Sequence, residues 1–365
     1  MGMNVLIRAD ASIAIGSGHV MRCLTLADAL RERGAQCRFV CREHPGHLIE
    51  NIRQRGFEVR TLPHRAGWCP TGTDSAHAAW VGADWETDAQ ETELGAGKTA
   101  PDWLIVDHYA LDARWERALR PHVGRIMVID DLADRPHDCD LLLDQNLQAR
   151  PDRYRGLIPE TCQRLLGPRY ALLRPQFLEA RKSLRERDGQ VRRILVAFGG
   201  VDAQGATLLA LEAIARLDRP DIAVDVVITS ACPHRQEIEA RCGKLPNVRL
   251  HVDVENMAGL MAAADLAIGA GGSMTWERCC LGLPSLAISI AENQRSIAEA
   301  CARLGTLTHI GTLSEVDVSC LAEQISILLR SPARLIDMSR SAMELVDGHG
   351  SERLVTMMMH HMVMA

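Results

Sequence analysis

Short apolar runs of four to six residues alternate along the chain with longer amphipathic stretches. Buried strands are predicted at 4–7, 38–41, 103–106, 126–129 and 141–143. The series resumes at 194–198, 224–228, 248–251, 266–268 and 285–288. Helices fit between them; in the first, Val20, Leu24, Ala27 and Leu30 recur at helical spacing. Strand–helix alternation with apolar strands implies parallel sheets covered on both faces.

The rhythm breaks over 147–190, where Pro151, Pro159, Pro168 and Pro175 precede a charged run at 181–188. It restarts at Arg193. The pattern predicts an α/β domain over 1–165, a linker over 166–189 and a second α/β domain over 190–350. The segment 351–365 reads as a helix crossing back to the first domain. A further irregular stretch, 64–100, reads as a long loop with one short helix, and loops of that length are usually functional or mobile. The 365 residues are enough for two domains, each with its own core.

The net charge of −6 and the six Trp, three Tyr and four Phe argue against a basic, aromatic nucleic-acid surface. The apolar runs fall far short of the roughly 20 residues that span a bilayer. The first ten residues carry no signal-peptide pattern, and Leu6 stands where a myristoylation signal needs Ser or Thr. A cytoplasmic monomer with no membrane or nucleic-acid partner is expected. The twelve cysteines contain no C-x-x-C pair, and adjacent Cys279 and Cys280 suit neither a short disulfide nor a tetrahedral zinc site. They read as reduced thiols packed as small hydrophobes.

The candidate chemistry sits where strands end. After the first strand come Arg8-Ala-Asp-Ala-Ser12 and Ile15-Gly-Ser-Gly-His19, and then a helix begins. Glycines between strand and helix let backbone N–H groups approach an anion at the positive helix end. Met21 occupies the third position of G-x-G-x-x-G, so a dinucleotide fingerprint is absent. His19 falls in the first helical turn, where the dipole disfavours the imidazolium and keeps a neutral base available; a capping or packing role is the plainer reading of that histidine. The second half repeats the device at Phe198-Gly-Gly-Val-Asp202, at Gly269-Ala-Gly-Gly-Ser-Met-Thr-Trp-Glu277 and at Ala291-Glu-Asn-Gln294. Three such strand ends in one open α/β sheet should line one crevice. Asp107, His108, Asp130 and Asp131 also end strands of the first half, and a metal site there is the less favoured reading beside hydrogen bonding or plain structural roles.

These segments resemble a known family. Arg8-Ala-Asp-Ala-Ser12 with Gly16-Ser-Gly-His-Val-Met-Arg22 is similar to the start of the UDP-2,4-diacetamido-2,4,6-trideoxy-β-L-altropyranose hydrolases of pseudaminic acid biosynthesis, a route to flagellin glycosylation. Trp103-Leu-Ile-Val-Asp-His-Tyr109, Ile129-Asp-Asp-Leu132, Leu143-Asp-Gln-Asn146 and Gly167-Pro-Arg-Tyr-Ala-Leu-Leu-Arg-Pro175 extend the likeness over nearly the whole chain, as do the Phe198-Gly-Gly, Gly271-Gly-Ser and Asn293-Gln294 segments. More distantly, the second half resembles the nucleotide-sugar domain of the glycosyltransferase B fold, as in the enzyme that adds N-acetylglucosamine to lipid I.

The resemblance implies two Rossmann-like domains facing across a cleft. It implies that His19 is the base that activates water and that Glu277 holds the ribose hydroxyls. Gly271, Gly272, Ser273 and Thr275 would surround the diphosphate, with Asn293 and Gln294 at the sugar–phosphate junction. Asp10, Gly16, Gly18 and Arg22 of the first loop, and Gly199 and Gly200 of the second half, would also line the substrate. Met274 departs from the pattern, because a small hydroxyl residue is expected there. No cofactor and no metal are implied. The expected activity is hydrolysis of a UDP-sugar at the anomeric carbon with inversion. The rival is a glycosyltransferase on the same scaffold; its membrane-docking face would be a basic, apolar helix in the first half, which the sequence lacks. A non-catalytic nucleotide-sugar-binding subunit would be expected to lose the His19 motif, which is intact.

Overall fold

The computed structural model describes residues 2–65, 67–69, 77–97, 99–199, 201–245 and 247–363. The chain divides into two compact units, Met1–Leu172 with His349–Ala365, and Leu173–Gly348.

Unit 1 carries strands β1 (Asn4–Ala9), β2 (Gln36–Arg42), β3 (Glu58–Leu62), β4 (Trp103–Asp107), β5 (Arg125–Ile129), β6 (Leu141–Asp144) and β7 (Gln163–Leu166). They form one sheet in the order β3-β2-β1-β4-β5-β6-β7, and every ladder in it is parallel. Its helices include α1 (Gly18–Glu32), α2 (Ile49–Gln54), α3 (Trp85–Ala96) and α4 (Ala113–Leu119). Strand order reverses between β1 and β4, the topological switch point at which open α/β sheets take ligands.

The two faces of this sheet pack against different partners. Val5, Ile7 and Ile105 join Val20, Leu24, Ala27 and Leu30 of α1 in one cluster. Leu6, Leu104, Val106 and Val128 join Trp115 and Leu119 of α4 in another. This two-sided burial is why the strands read as unbroken apolar runs.

Unit 2 repeats the plan with β8 (Arg193–Ala197), β9 (Ala223–Ile228), β10 (Val248–Val252), β11 (Leu266–Ala270), β12 (Ser285–Ser289) and β13 (Thr308–Thr312), in the order β10-β9-β8-β11-β12-β13. Its helices are α5 (Pro175–Lys182), α6 (Ala206–Arg216), α7 (Arg235–Cys242), α8 (Met257–Ala263), α9 (Met274–Cys280), α10 (Glu292–Arg303), α11 (Val318–Leu329) and α12 (Pro332–Leu345). The switch point falls between β8 and β11.

The last helix, α13 (Gly350–Val363), belongs to unit 1, where Leu354, Val355 and Met358 are buried in the α1 cluster and Met357 and Met359 pack against it. The segment expected as a linker holds the 3-10 turn Pro168–Tyr170 and α5. The irregular stretch holds the turn Ala78–Trp80 and the three-turn helix α3, started by Asp84, whose side chain accepts from Thr87 N. All cysteines are free; Cys69 is exposed, Cys320 half-buried and the others buried.

Buried charge in unit 1 is heavily paired. The α3 carboxylate Asp88 accepts from Arg8 Nη2 at 2.8 Å, Arg42 Nη2 at 2.7 Å and Trp115 Nε1 at 3.0 Å. His137 sets its Nδ1 2.7 Å from Glu116. Burial opposes its protonation, but Glu116 and Asp130 outweigh that and push its pKa up to about 9. An imidazolium gained on folding stabilises fully below the unfolded value of about 6.5 and is lost as pH rises through about 9. Chemical denaturation of the wild type should therefore lose up to about 3 kcal/mol from this site across that window. His137→Gln, measured in the same buffers, should show a smaller fall.

Candidate active site

The β1–α1 loop is built to present His19. Ser12 Oγ accepts from Ala14 N at 3.1 Å and Ile15 N at 2.9 Å, and Gly16 N closes the turn on Ser12 O at 2.8 Å. Gly16 takes φ +80°, a left-handed conformation that costs little without a Cβ. The helix starts at Gly18, after Ser17, whose side chain makes no cap bond.

His19 does not cap the helix either. Its Nδ1 lies 2.6 Å from Asp107 Oδ1, at the end of the neighbouring strand β4. Arg22, one turn along α1, grips the same carboxylate with Nε on Oδ2 and Nη2 on Oδ1, both at 2.6 Å. Burial alone would raise the Asp107 pKa, but Arg22 and then His19 overcome it and hold the carboxyl well below the usual range. An ionised carboxylate only accepts, so Nδ1 of His19 carries the proton and Nε2 is left as an acceptor when the ring is neutral. Arg22 balances the charge of Asp107, so the imidazole is oriented without an uncompensated anion beside it.

Tyr109 extends the cluster. Its hydroxyl donates to Asp131 Oδ1 at 2.5 Å, and Arg22 Nη1 reaches Asp131 Oδ2 at 3.4 Å. Asp10 is fully buried beneath the loop rather than open to a ligand. Its Oδ1 accepts from Arg42 N and pairs with Arg8 Nη1, both at 2.7 Å. Its Oδ2 lies 3.3 Å from His108 Nε2 and 3.5 Å from His44 Nε2. Asp130 is likewise committed, to Ala133 N, Arg135 and Tyr154. Among the described residues, no group of three His, Cys, Asp or Glu side chains is arranged to hold a metal ion.

At the ends of β11 and β12 in unit 2, glycines bring the backbone close to neighbouring side chains. Gly271 lies so close to α10 that a Cβ would fall 2.9 Å from the Ala298 Cβ. A Cβ on Gly272 would meet Gln294 Nε2 at 3.2 Å. Gln294 turns its Oε1 back to Ile290 N at 3.2 Å, joining the β12 end to the glycine turn. Asn293 is exposed beside it, and Ser273 is exposed ahead of α9. Met274 is half-buried against Gly199: its Sδ lies 3.0 Å from where a Gly199 Cβ would sit. The methionine thus fills a gap that exists because residue 199 has no side chain. Gly200 lies outside the described residues.

Thr275 is buried, and its Oγ1 accepts from Arg278 Nη2 at 2.9 Å, so its hydroxyl serves the helix and not an open surface. Glu277 is half-buried, 3.2 Å from Arg174 Nη2. Burial raises its pKa, and Arg174 partly offsets that.

Sequence reasoning missed a cavity of about 150 Å³ at the ends of β8, β9 and β10. Phe198, Gly199, Thr229, Asp253, Val254 and Met257 are among its walls. An apolar cavity of that size holds a six-membered ring. No run of residue types announced it, because its walls come from three separate strand ends.

Together these features define a two-lobed α/β protein of the glycosyltransferase-B-like fold. The structure is similar to MurG of Acinetobacter baumannii, with a TM-score of 0.69, 14% identity, and 99% of this chain and 100% of that chain covered. It is also similar to UDP-GlcNAc 2-epimerase of Neisseria meningitidis, solved bound to UDP-GlcNAc, with a TM-score of 0.61, 12% identity and coverage of 99% and 100%. In sequence, the chain is 28% identical over 304 residues to the UDP-2,4-diacetamido-2,4,6-trideoxy-β-L-altropyranose hydrolase of Campylobacter jejuni, spanning 83% of this chain and 97% of that protein. No family model matches the chain. Among the described residues, no helix is long and apolar enough to cross a membrane.

The Asp107 clamp predicts a single His19 tautomer. Nitrogen-15 NMR of the neutral ring should show Nδ1–H in the wild type and a mixture with Nε2–H in Asp107→Asn. An unchanged tautomer in the variant would mean that Asp107 does not orient the ring.

Proposed function

We propose that this protein hydrolyses UDP-2,4-diacetamido-2,4,6-trideoxy-β-L-altropyranose, releasing UDP and the free sugar. Unit 2 supplies the groups for UDP and unit 1 supplies the base. The observation that carries the reading is the His19–Asp107–Arg22 arrangement, which fixes Nδ1 as the protonated nitrogen and leaves Nε2 to take a proton. Water attacks C1 on the face opposite UDP while its proton passes to His19 Nε2. The C1–O bond to UDP breaks, its electron pair leaves on the diphosphate, and the anomeric configuration inverts.

UDP is a good leaving group, so the protein needs only to orient the water and stabilise the diphosphate. In this reading the glycine turn at Gly271 and Gly272, with Ser273 and the N–H groups that open α9, faces the diphosphate. Gln294 and Asn293 hold the junction with the sugar, Glu277 binds the ribose hydroxyls, and the cavity beside Gly199 takes the uracil ring. Arg22 positions His19 through Asp107. The likeness to the Campylobacter jejuni hydrolase over most of both chains supports the choice of sugar.

Three outcomes follow. His19→Asn should fold and bind UDP as the wild type does, and should lose about 10²–10⁴-fold in UDP release from this sugar nucleotide. Near-full turnover with a lowered melting temperature would instead mark His19 as structural. Glu277→Ala should weaken UDP binding by about 1.5–3 kcal/mol in calorimetry, through lost hydrogen bonds to a charged acceptor; unchanged affinity removes the ribose role. Turnover should survive excess EDTA, and a loss restored by Mg²⁺ or Mn²⁺ would require a metal in the reaction. UDP release that appears only when an acceptor is added would make the protein a transferase.

A further inference from the structure

A set of aromatic rings borders His19 in unit 1. Tyr109 meets the His19 ring edge-on, with centroids 4.5 Å apart. His77 lies 5.4 Å from Tyr109 and 4.7 Å from Trp80. Trp80 lies 26° from parallel with Tyr109 at 5.8 Å. Trp80 and His77 are both half-buried, so each ring keeps an open part. His77 Nδ1 is buried with no hydrogen-bond partner among the described residues. Burial lowers the His77 pKa, which leaves that nitrogen able to accept.

His77 and Trp80 come from the turn before α3, in the irregular stretch between β3 and β4, and Tyr109 follows the end of β4. The turn is firmly supported. Val81 and Ala83 are buried with Leu62, Val106 and Trp115. Asp88 of α3 is clamped by Arg8, Arg42 and Trp115. A half-buried indole on a charge-locked support, one ring removed from the candidate base through Tyr109, is placed to receive something flat and weakly polar.

We propose that Trp80, with His77, forms the wall on which the sugar's apolar face rests beside His19, and that this wall selects a deoxy, N-acylated sugar over a fully hydroxylated one. The proposal rests on the UDP-sugar reading above. A 2,4-diacetamido-2,4,6-trideoxy ring carries a C6 methyl and two acetyl methyls, which an aromatic wall buries favourably. A hydroxyl in place of a C6 hydrogen would be desolvated against the wall without a partner.

The test compares kcat/KM for the diacetamido substrate and for UDP-N-acetylglucosamine, together with tryptophan fluorescence on titration with each sugar nucleotide and with UDP alone. The wild type should prefer the diacetamido sugar and show quenching beyond that caused by UDP. Trp80→Ala should lower kcat/KM for the diacetamido sugar by about 10–200-fold, the range for lost apolar contacts in a pocket, and should narrow the preference. Trp80→Phe should keep most of the turnover and lose the extra quenching. A preference unchanged in Trp80→Ala overturns the wall, as does extra quenching retained in Trp80→Phe. Absence of sugar-dependent quenching in the wild type overturns it as well. A wild type that releases no UDP yet shows Trp80-dependent quenching defeats the hydrolase reading and leaves the wall standing.

Discussion

One buried carboxylate organises unit 1. Asp107 ends β4, the strand that lies beside β1 across the reversal of strand order. The loop leaving β1 and the acid ending β4 therefore meet at the switch point, and α1 brings both His19 and Arg22 to that acid. A lone buried carboxylate would be strongly unfavourable, and a lone buried guanidinium equally so. The bidentate pairing removes both penalties and leaves one well-directed acceptor for the imidazole. Orientation of His19 is thus a consequence of charge balance in the sheet and not of helix capping.

Unit 2 repeats the order of the first six strands of unit 1, without a seventh, and has a different solution at its switch point. Its strand ends offer glycine backbone, an amide pair and the half-buried Glu277, and among the described residues they hold no buried carboxylate–histidine pair. The close approach of Gly271 to α10 and of Met274 to Gly199 shapes the surface by absence of side chains. The two lobes therefore differ in chemistry more than in architecture: charge and an oriented proton acceptor in one, backbone donors and an apolar ring-sized cavity in the other.

Much of this was legible in the chain. Most strands read from apolar runs have both faces covered; β10, an edge strand with no fully buried residue, was read as well. The three that escaped, β3, β7 and β13, are all sheet edges. Edge strands are less covered, and Glu58–Leu62 and Thr308–Thr312 show no continuous apolar run. His19 and Glu277 could be singled out because each follows a glycine turn at a strand end. Asp107 was visible only as one of three acids, beside His108, that end strands of the first half, because its partner His19 lies 88 residues away. Asp10 and Thr275 sit in motif positions, and both are buried. Trp80 and His77 carried no periodic signal, since a turn held by the distant charges of Arg8 and Arg42 leaves no local pattern.

The central claim is that water attacks the anomeric carbon of a UDP-sugar. It is tested most directly by turnover in H₂¹⁸O with no acceptor present, followed by mass spectrometry of both products and NMR of the sugar as first formed. The account predicts ¹⁸O in the sugar, none in UDP, and an initially inverted anomer. Label in the UDP β-phosphate would place the cleavage at the P–O bond and contradict it, as would an initial product of retained configuration.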